Sequence, residues 1–471
     1  MRNIVFVLLT LIGIQANAQL RLPAVISDHM VLQQQSDVTL WGWASASEEL
    51  TVTGSWGDKI DVKTKAMNTG SWKVSLKTPV AGGPYTITIK GKEQKILNDV
   101  MIGEVWICSG QSNMEWTNND AIDGKKDSPN ADIPFIRFFK VTRSGANDPQ
   151  VHGEGEWKVC TPETMKWFSS VSYFFGKKLN ADIKIPVGLM DVSWGGTPAE
   201  VWTPAEKIEN NLALKKSSDK IPEKDGWPRT PGVVYNAMIR PLVPYTIAGA
   251  IWYQGEGNTD APETYALLMK TMIESWRADF EKEFPFYYVQ IAPFTYETKF
   301  QGALIREQQS KILTMVPKTG MVIISDFVED IKDIHPKYKK PVGDRLANYA
   351  LSDTYKRPIS KSAYESPVYK SMVVEKGKIR ISFMFGENGL INRGATNQFT
   401  IAGEDKKFYP AIATIDGNTI VVSSKQVKLP VAVRFCFDNS SIPNLTNKEG
   451  LPVSIFRTDS WELDMSAEES K

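Results

Sequence analysis

Residues 108–115 read CSGQSNME and directly follow the apolar run VMIGEVWI. Ser112 stands two residues past Gly110, where a strand hands over to a helix and a side chain can reach solvent with helix N–H groups behind it. A serine there ordinarily caps the helix; as a nucleophile it needs a base to take its proton. The chain has three histidines, His29, His152 and His335. His29 falls in an amino-terminal β region and His152 in a glycine-rich loop. His335 follows a strand and a loop and precedes a helical stretch, which makes it the candidate base. Asp333, two residues earlier, is placed to accept the ring N–H and fix its tautomer, with Asp330 and Asp326 as rivals.

Attack on an ester carbonyl creates an oxyanion, which preorganised donors stabilise by several kcal/mol. Three donors are available: the backbone N–H of Ser112, that of Gly196 (or Gly195) in SWGGTPAEVW, and the side-chain amide of Asn258 in YQGEGN. Gln111, Trp202, Glu256, Arg240 and Arg306 are candidates for contacting a substrate. The two arginines are candidates either for the cation that a sugar acid's carboxylate would need or for structural ion pairs. Trp194, Trp202 and Trp252 are candidates either for a sugar pocket or for the core.

Positioning such residues falls to the elements around them. VMIGEVWICSG, KIPVGLMDVSWGG, IAGAIWYQGEGN, FPFYYVQIAPF and MVIISDF are continuous apolar runs, as buried parallel strands are. Helical segments alternate with them, which predicts an α/β sheet with helices on both faces and a site outside the carboxyl ends of the strands. Residues 19–100 alternate in the two-residue period of a small β-sandwich, and that period returns beyond 363, with Asp416-Gly417-Asn418 as a hairpin turn. The expected division is 1–18, 19–100, 101–362 and 363–471. Residues 204–231 are polar and proline-punctuated, a long loop of the kind that acts as a lid.

Composition narrows the function. Lys plus Arg is 55 and Asp plus Glu 54, without the basic excess of a nucleic-acid binder. Cys108, Cys160 and Cys436 are too few for a disulfide framework and read as buried thiols. No CxxC or HExxH spacing occurs, so no metal and no cofactor is implied. The start, MRNIVFVLLTLIGIQANAQL, reads as a signal peptide cleaved after Ala18, too short to span a bilayer and followed by no lipid-anchoring cysteine. The expectation is a periplasmic or secreted protein without membrane insertion.

Gly110-Gln111-Ser112-Asn113, the Gly195-Gly196 turn, Gly255-x-x-Asn258 and Asp333-Ile334-His335-Pro336 resemble the four blocks of the SGNH hydrolase superfamily. With LPAVISDHMVLQQ, WGGTPAEVW, YNAMIRPLVP and IWYQGEGN, nearly the whole mature chain is similar to sialate O-acetylesterases and related bacterial carbohydrate acetylesterases. The resemblance implies a three-layer α/β/α domain, flavodoxin-like, flanked by β-sandwich regions. It also implies Ser112 as nucleophile, His335 as general base, and an oxyanion hole of Ser112, Gly196 and Asn258. The implied substrate is an O-acetylated carbohydrate: a sialate ester first, an acetylated xylan, mannan or xyloglucan as the alternative. A non-catalytic glycan-binding protein is the competing class. Two positions depart from the pattern: Lys332 stands where the superfamily places its Asp, three before the His, and Gly257 where relatives commonly carry Ser. A G-x-S-x-G nucleophile elbow is absent from the sequence, which argues against a lipase.

Overall fold

In chain order the strands begin with β1 (Val31–Gln33), β2 (Asp37–Trp43), β3 (Glu49–Gly54), β4 (Asp61–Lys65), β5 (Ser71–Lys77), β6 (Gly82–Lys90) and β7 (Gln94–Gly110). The computed structural model describes residues 19–57, 61–394 and 398–466; the expected signal peptide lies outside them. β7 runs for 17 residues and serves two neighbourhoods. Its first half pairs antiparallel with β6, whereas its second half pairs in parallel with β10 (Val187–Ser193) and β11 (Gly249–Tyr253). Residue 100, where composition changes, therefore lies inside one continuous strand.

The remaining strands of that sheet are β8 (Ile133–Val141), β9 (Gly155–Cys160), β12 (Phe286–Val289) and β13 (Thr319–Val322), in the order β13-β12-β11-β7-β10-β8-β9. All pairings but the edge pair β8–β9 are parallel. From β7 the chain builds β8 and β10 on one side, then crosses to β11 on the other, and such a reversal opens a crevice at the carboxyl ends of the strands. The period of two sorts β7 side chains between two cores. Trp106 and Cys108 pack with Val171 and Phe174 of the helix Ser170–Ile183 and Leu346 of the helix Lys340–Tyr349. Val105 and Ile107 join Leu268 and Met272 of the helix Tyr265–Asp279 and Ile305 of the helix Gln301–Met315.

The amino-terminal strands add Val38, Leu40, Val52, Ile87 and Ile89 to the second core. At the other end, a seven-stranded antiparallel sheet spans residues 368–457 and has its own core around Ile379, Ile401 and Val433. Within it Phe408–Asp416 turns through Gly417 (φ +63°) into Thr419–Ser423. Ala303 and Leu304 dock the helix Gln301–Met315 on this sheet. The architecture is thus mixed α/β with a separate β-sandwich-like sheet. Cys108, Cys160 and Cys436 are free and buried. No described helix is long and apolar enough to cross a membrane.

Candidate active site

The end of β7 shows why glycine precedes the polar triplet. Gly110 has φ +140°, and a Cβ there would overlap the Tyr253 carbonyl at the end of β11, so only glycine lets the two strands approach this closely. Gln111 then donates its backbone N–H to Tyr253 O (3.0 Å), and its side-chain oxygen accepts the Gly257 N–H at 2.9 Å. Gln111 is buried and ties the loop after β7 to the loop after β11. Ser112 opens the short helix Ser112–Glu115, and its N–H has no acceptor among the described residues.

Across the crevice, His335 Nε2 lies 2.9 Å from Ser112 Oγ. Two residues 223 positions apart are brought to hydrogen-bond length, the geometry a general base needs. The imidazole stacks on Trp116 with ring centroids 4.5 Å apart and planes 20° from parallel. Burial depresses the His335 pKa, the Lys339 ammonium depresses it further, and Asp333 opposes both. The Asp333 carboxylate accepts the backbone N–H of His335 at 2.9 Å, while its nearer oxygen is 4.0 Å from ring Nδ1. That separation exceeds a hydrogen bond, so Asp333 acts on the ring through charge and through the loop backbone. The rival acids are engaged elsewhere: Asp326 pairs with both terminal nitrogens of Arg345, and Asp330 accepts the Lys332 N–H.

Behind the pair lies a buried polar layer. Lys339 Nζ donates to Asn113 Oδ1 at 2.6 Å; Asn113 Nδ2 reaches Glu256 Oε1 at 2.6 Å and the Ile334 carbonyl at 3.0 Å. Asn113 therefore holds the residue before His335. Desolvation pushes Lys339 down to about 7 and raises Glu256, each toward its neutral form.

On the third side, Gly195 N–H donates to Glu115 Oε2 at 2.8 Å, which leaves Gly196 as the glycine whose N–H has no acceptor among the described residues. Gly196 has φ +74°, and a Cβ on it would overlap the ring of Trp227. Residues 204–231 thus contain two short helices, Ala205–Glu209 and Leu212–Ser218, and lay one indole over the glycine turn. Asn258 is buried and orientationally fixed: Oδ1 accepts from Ala199 N (2.9 Å) and Gln254 Nε2 (2.8 Å), and Nδ2 donates to Glu200 Oε2 (2.8 Å).

Most of the residues expected to contact substrate are buried within the protein. Arg306 is buried on the carbonyls of Gly302 and Asn439, fastening the carboxy-terminal sheet. Arg240 lines a cavity with Trp41, Trp43 and Trp72 of the amino-terminal strands. Trp202 is fully buried, with its N–H on Thr197 and its ring edge-on to Trp252, which is equally buried. Glu256 and Gln111 bond protein groups. Of the three tryptophans proposed for a sugar pocket, Trp194 alone is partly exposed. Sequence reading passed over Glu115, Trp116, Glu200, Trp227 and Lys339; only the first two carried a signal, lying immediately after the serine motif.

The sequence model of the family described as "carbohydrate esterase, sialic acid-specific acetylesterase" matches residues 102–352. The chain belongs to this family. It is a serine esterase, an acetylesterase of acetylated carbohydrates. The esterase is similar to the crystal structure of a carbohydrate acetylesterase from Xanthomonas citri, with 36% identity and TM-score 0.85, covering 94% of this chain and all of the other. It is also 27% identical to the sialate O-acetylesterase of Homo sapiens over 83% of this chain and 79% of that protein. With the sialate O-acetylesterase of Rattus norvegicus it shares 29% identity over 69% and 72%.

Proposed function

We propose that this is an exported carbohydrate O-acetylesterase whose Ser112 is the nucleophile and His335 the general base. The observation that carries the reading is the 2.9 Å contact between Ser112 Oγ and His335 Nε2. Ser112 Oγ bonds to the acetyl carbon as its proton passes to His335; the tetrahedral oxyanion faces the N–H groups of Ser112 and Gly196, with the Asn258 amide as third donor. The sugar–oxygen bond to the acetyl carbon then breaks, and the alkoxide leaves with the proton from His335. Water, deprotonated by the same imidazole, releases acetate and restores Ser112. Asp333 supports the imidazolium by its charge, at a distance that makes the pair closer to a dyad than to a full triad. The sheet with helices on both faces supports the three-layer SGNH architecture, with the β regions on either side as accessory modules. Export rests on the amino-terminal sequence alone.

Sialate esters are the reading favoured by the names of the curated relatives. A neutral plant polysaccharide is the second reading, favoured because Arg306, one of the cations that sequence offered for a carboxylate, is buried on backbone carbonyls. Release of acetate from p-nitrophenyl acetate tests the assignment: full turnover by Ser112→Ala would reject it. Acetate release from O-acetylated sialic acid against acetylated xylan separates the substrates.

A further inference from the structure

A groove of about 810 Å3 opens along the β8–β9 edge, lined among others by Lys140, Arg143, Glu154, Lys158, Glu163 and Trp167. This volume falls within the roughly 300–1,000 Å3 of small-ligand sites. Both of its walls are bonded to the catalytic rim. On one side Arg143 Nε donates to Glu115 Oε1 at 2.6 Å, Glu115 holds the Gly195 N–H, and Gly195 abuts Ser112. On the other, the chain of Trp167 and Phe168 runs against the segment leaving the serine helix: Asn118 N–H donates to Phe168 O at 3.1 Å and Ser170 N–H to Trp116 O at 2.9 Å. Trp116 in turn carries the imidazole.

At the groove, Trp167 is 64% exposed, whereas Trp106, Trp157, Trp202, Trp252 and Trp276 are fully buried. A flat indole held open to water, its backbone carbonyl pinned by Lys140 Nζ at 3.1 Å, loses hydrophobic stabilisation that a ligand would restore. Charge then selects the ligand. Arg143 is paired with Glu115, Lys140 lies 3.9 Å from Asp191, Lys158 lies 3.0 Å from Glu156, and Glu163 lies 3.3 Å from Lys166. The lining charge without an opposite partner among the described residues is Glu154, an acid. Among the described residues, each cation lining the groove has an acid beside it.

We infer that this groove binds the sugar chain flanking the acetylated unit, with Trp167 stacked on a pyranose face, so that the units it holds are uncharged sugars of an oligo- or polysaccharide. The inference rests on the acetylesterase reading and extends it. The test compares p-nitrophenyl acetate with O-acetylated xylo-oligosaccharides of one to four units. Wild-type kcat/KM rises with chain length; in Trp167→Ala the advantage of the tetramer over p-nitrophenyl acetate falls about five- to tenfold, the scale of one aromatic stack, and Trp167→Tyr restores most of it. A flat length dependence in the wild type, an equal loss on both substrates, or preference for free O-acetylated sialic acid overturns the inference. If the wild type leaves p-nitrophenyl acetate intact, the esterase reading is what fails. The groove is then judged by calorimetric binding of xylotetraose, which Trp167→Ala must weaken for the inference to stand.

Discussion

The Lys339 ammonium lies 2.6 Å from Asn113 Oδ1, and neither side chain touches solvent. This contact sits one layer behind the Ser112–His335 pair and couples its charge to the base. Lys339 faces Glu256, Asp123 and Asp333, and titrates at about 7. It is charged through the range in which His335 gains a proton. Lys339→Met removes a like charge, so the His335 pKa rises and the acidic limb of kcat/KM moves to higher pH. Leaving Asn113 Oδ1 buried without its donor costs about 1–3 kcal/mol of stability, read by thermal melting. An unmoved limb would show that Lys339 only props the loop.

On the proposed mechanism His335 must be neutral to take the serine proton. Burial and Lys339 hold His335 below its ordinary value, so the acidic limb falls below about 6.5, the value of an unperturbed imidazole. A pH profile of kcat/KM on p-nitrophenyl acetate with its limb above that value contradicts the site electrostatics.

Asp333→Asn keeps an oxygen for the His335 N–H but loses the charge. With 4.0 Å between the carboxylate and Nδ1, the expected fall in kcat is about tenfold. A triad Asp in full contact costs about 10⁴, and a loss of that size would mean that the carboxylate closes on the ring in the working enzyme.

Asn258→Ala removes one donor of the proposed oxyanion hole and strips the buried Glu200 of the Asn258 amide. The expectation is a kcat reduced about 10²–10³-fold with KM little changed. An undiminished kcat would leave the oxyanion to the two backbone donors. Gly196→Ala must adopt φ +74° and displace Trp227; it costs about 1–2 kcal/mol in backbone strain alone. In a Trp227→Ala background the steric part of that cost disappears, which a double-mutant cycle in kcat/KM measures.

Much of this fold is legible because parallel strands bury both faces and write themselves as unbroken apolar runs, as β7, β10 and β11 do. The Ser112 and His335 positions are legible because a nucleophile needs a base and two of the three histidines lie off the sheet ends. What sequence hides is burial acquired only in three dimensions. Lys339 sits in KYKK and reads as a solvated charge, yet the chain folds it inside. Arg306, in an amphipathic helix, looks free to meet a ligand until the carboxy-terminal carbonyls close over it. Trp202, in the segment after β10, and Trp252, near the end of β11, read like pocket residues, but each other's rings cover them. The change of composition near residue 100 suggests a boundary because β7 is solvent-facing in its first half and buried in its second.

The account depends above all on oxygen 112 becoming acylated. Rapid quenching of the enzyme during turnover of an acetylated substrate, followed by peptide mass mapping, tests this directly. The predicted result is one acetyl group on the peptide that contains Ser112, absent from Ser112→Ala, whose turnover falls about a millionfold. Turnover without that adduct, undiminished in Ser112→Ala, would contradict it.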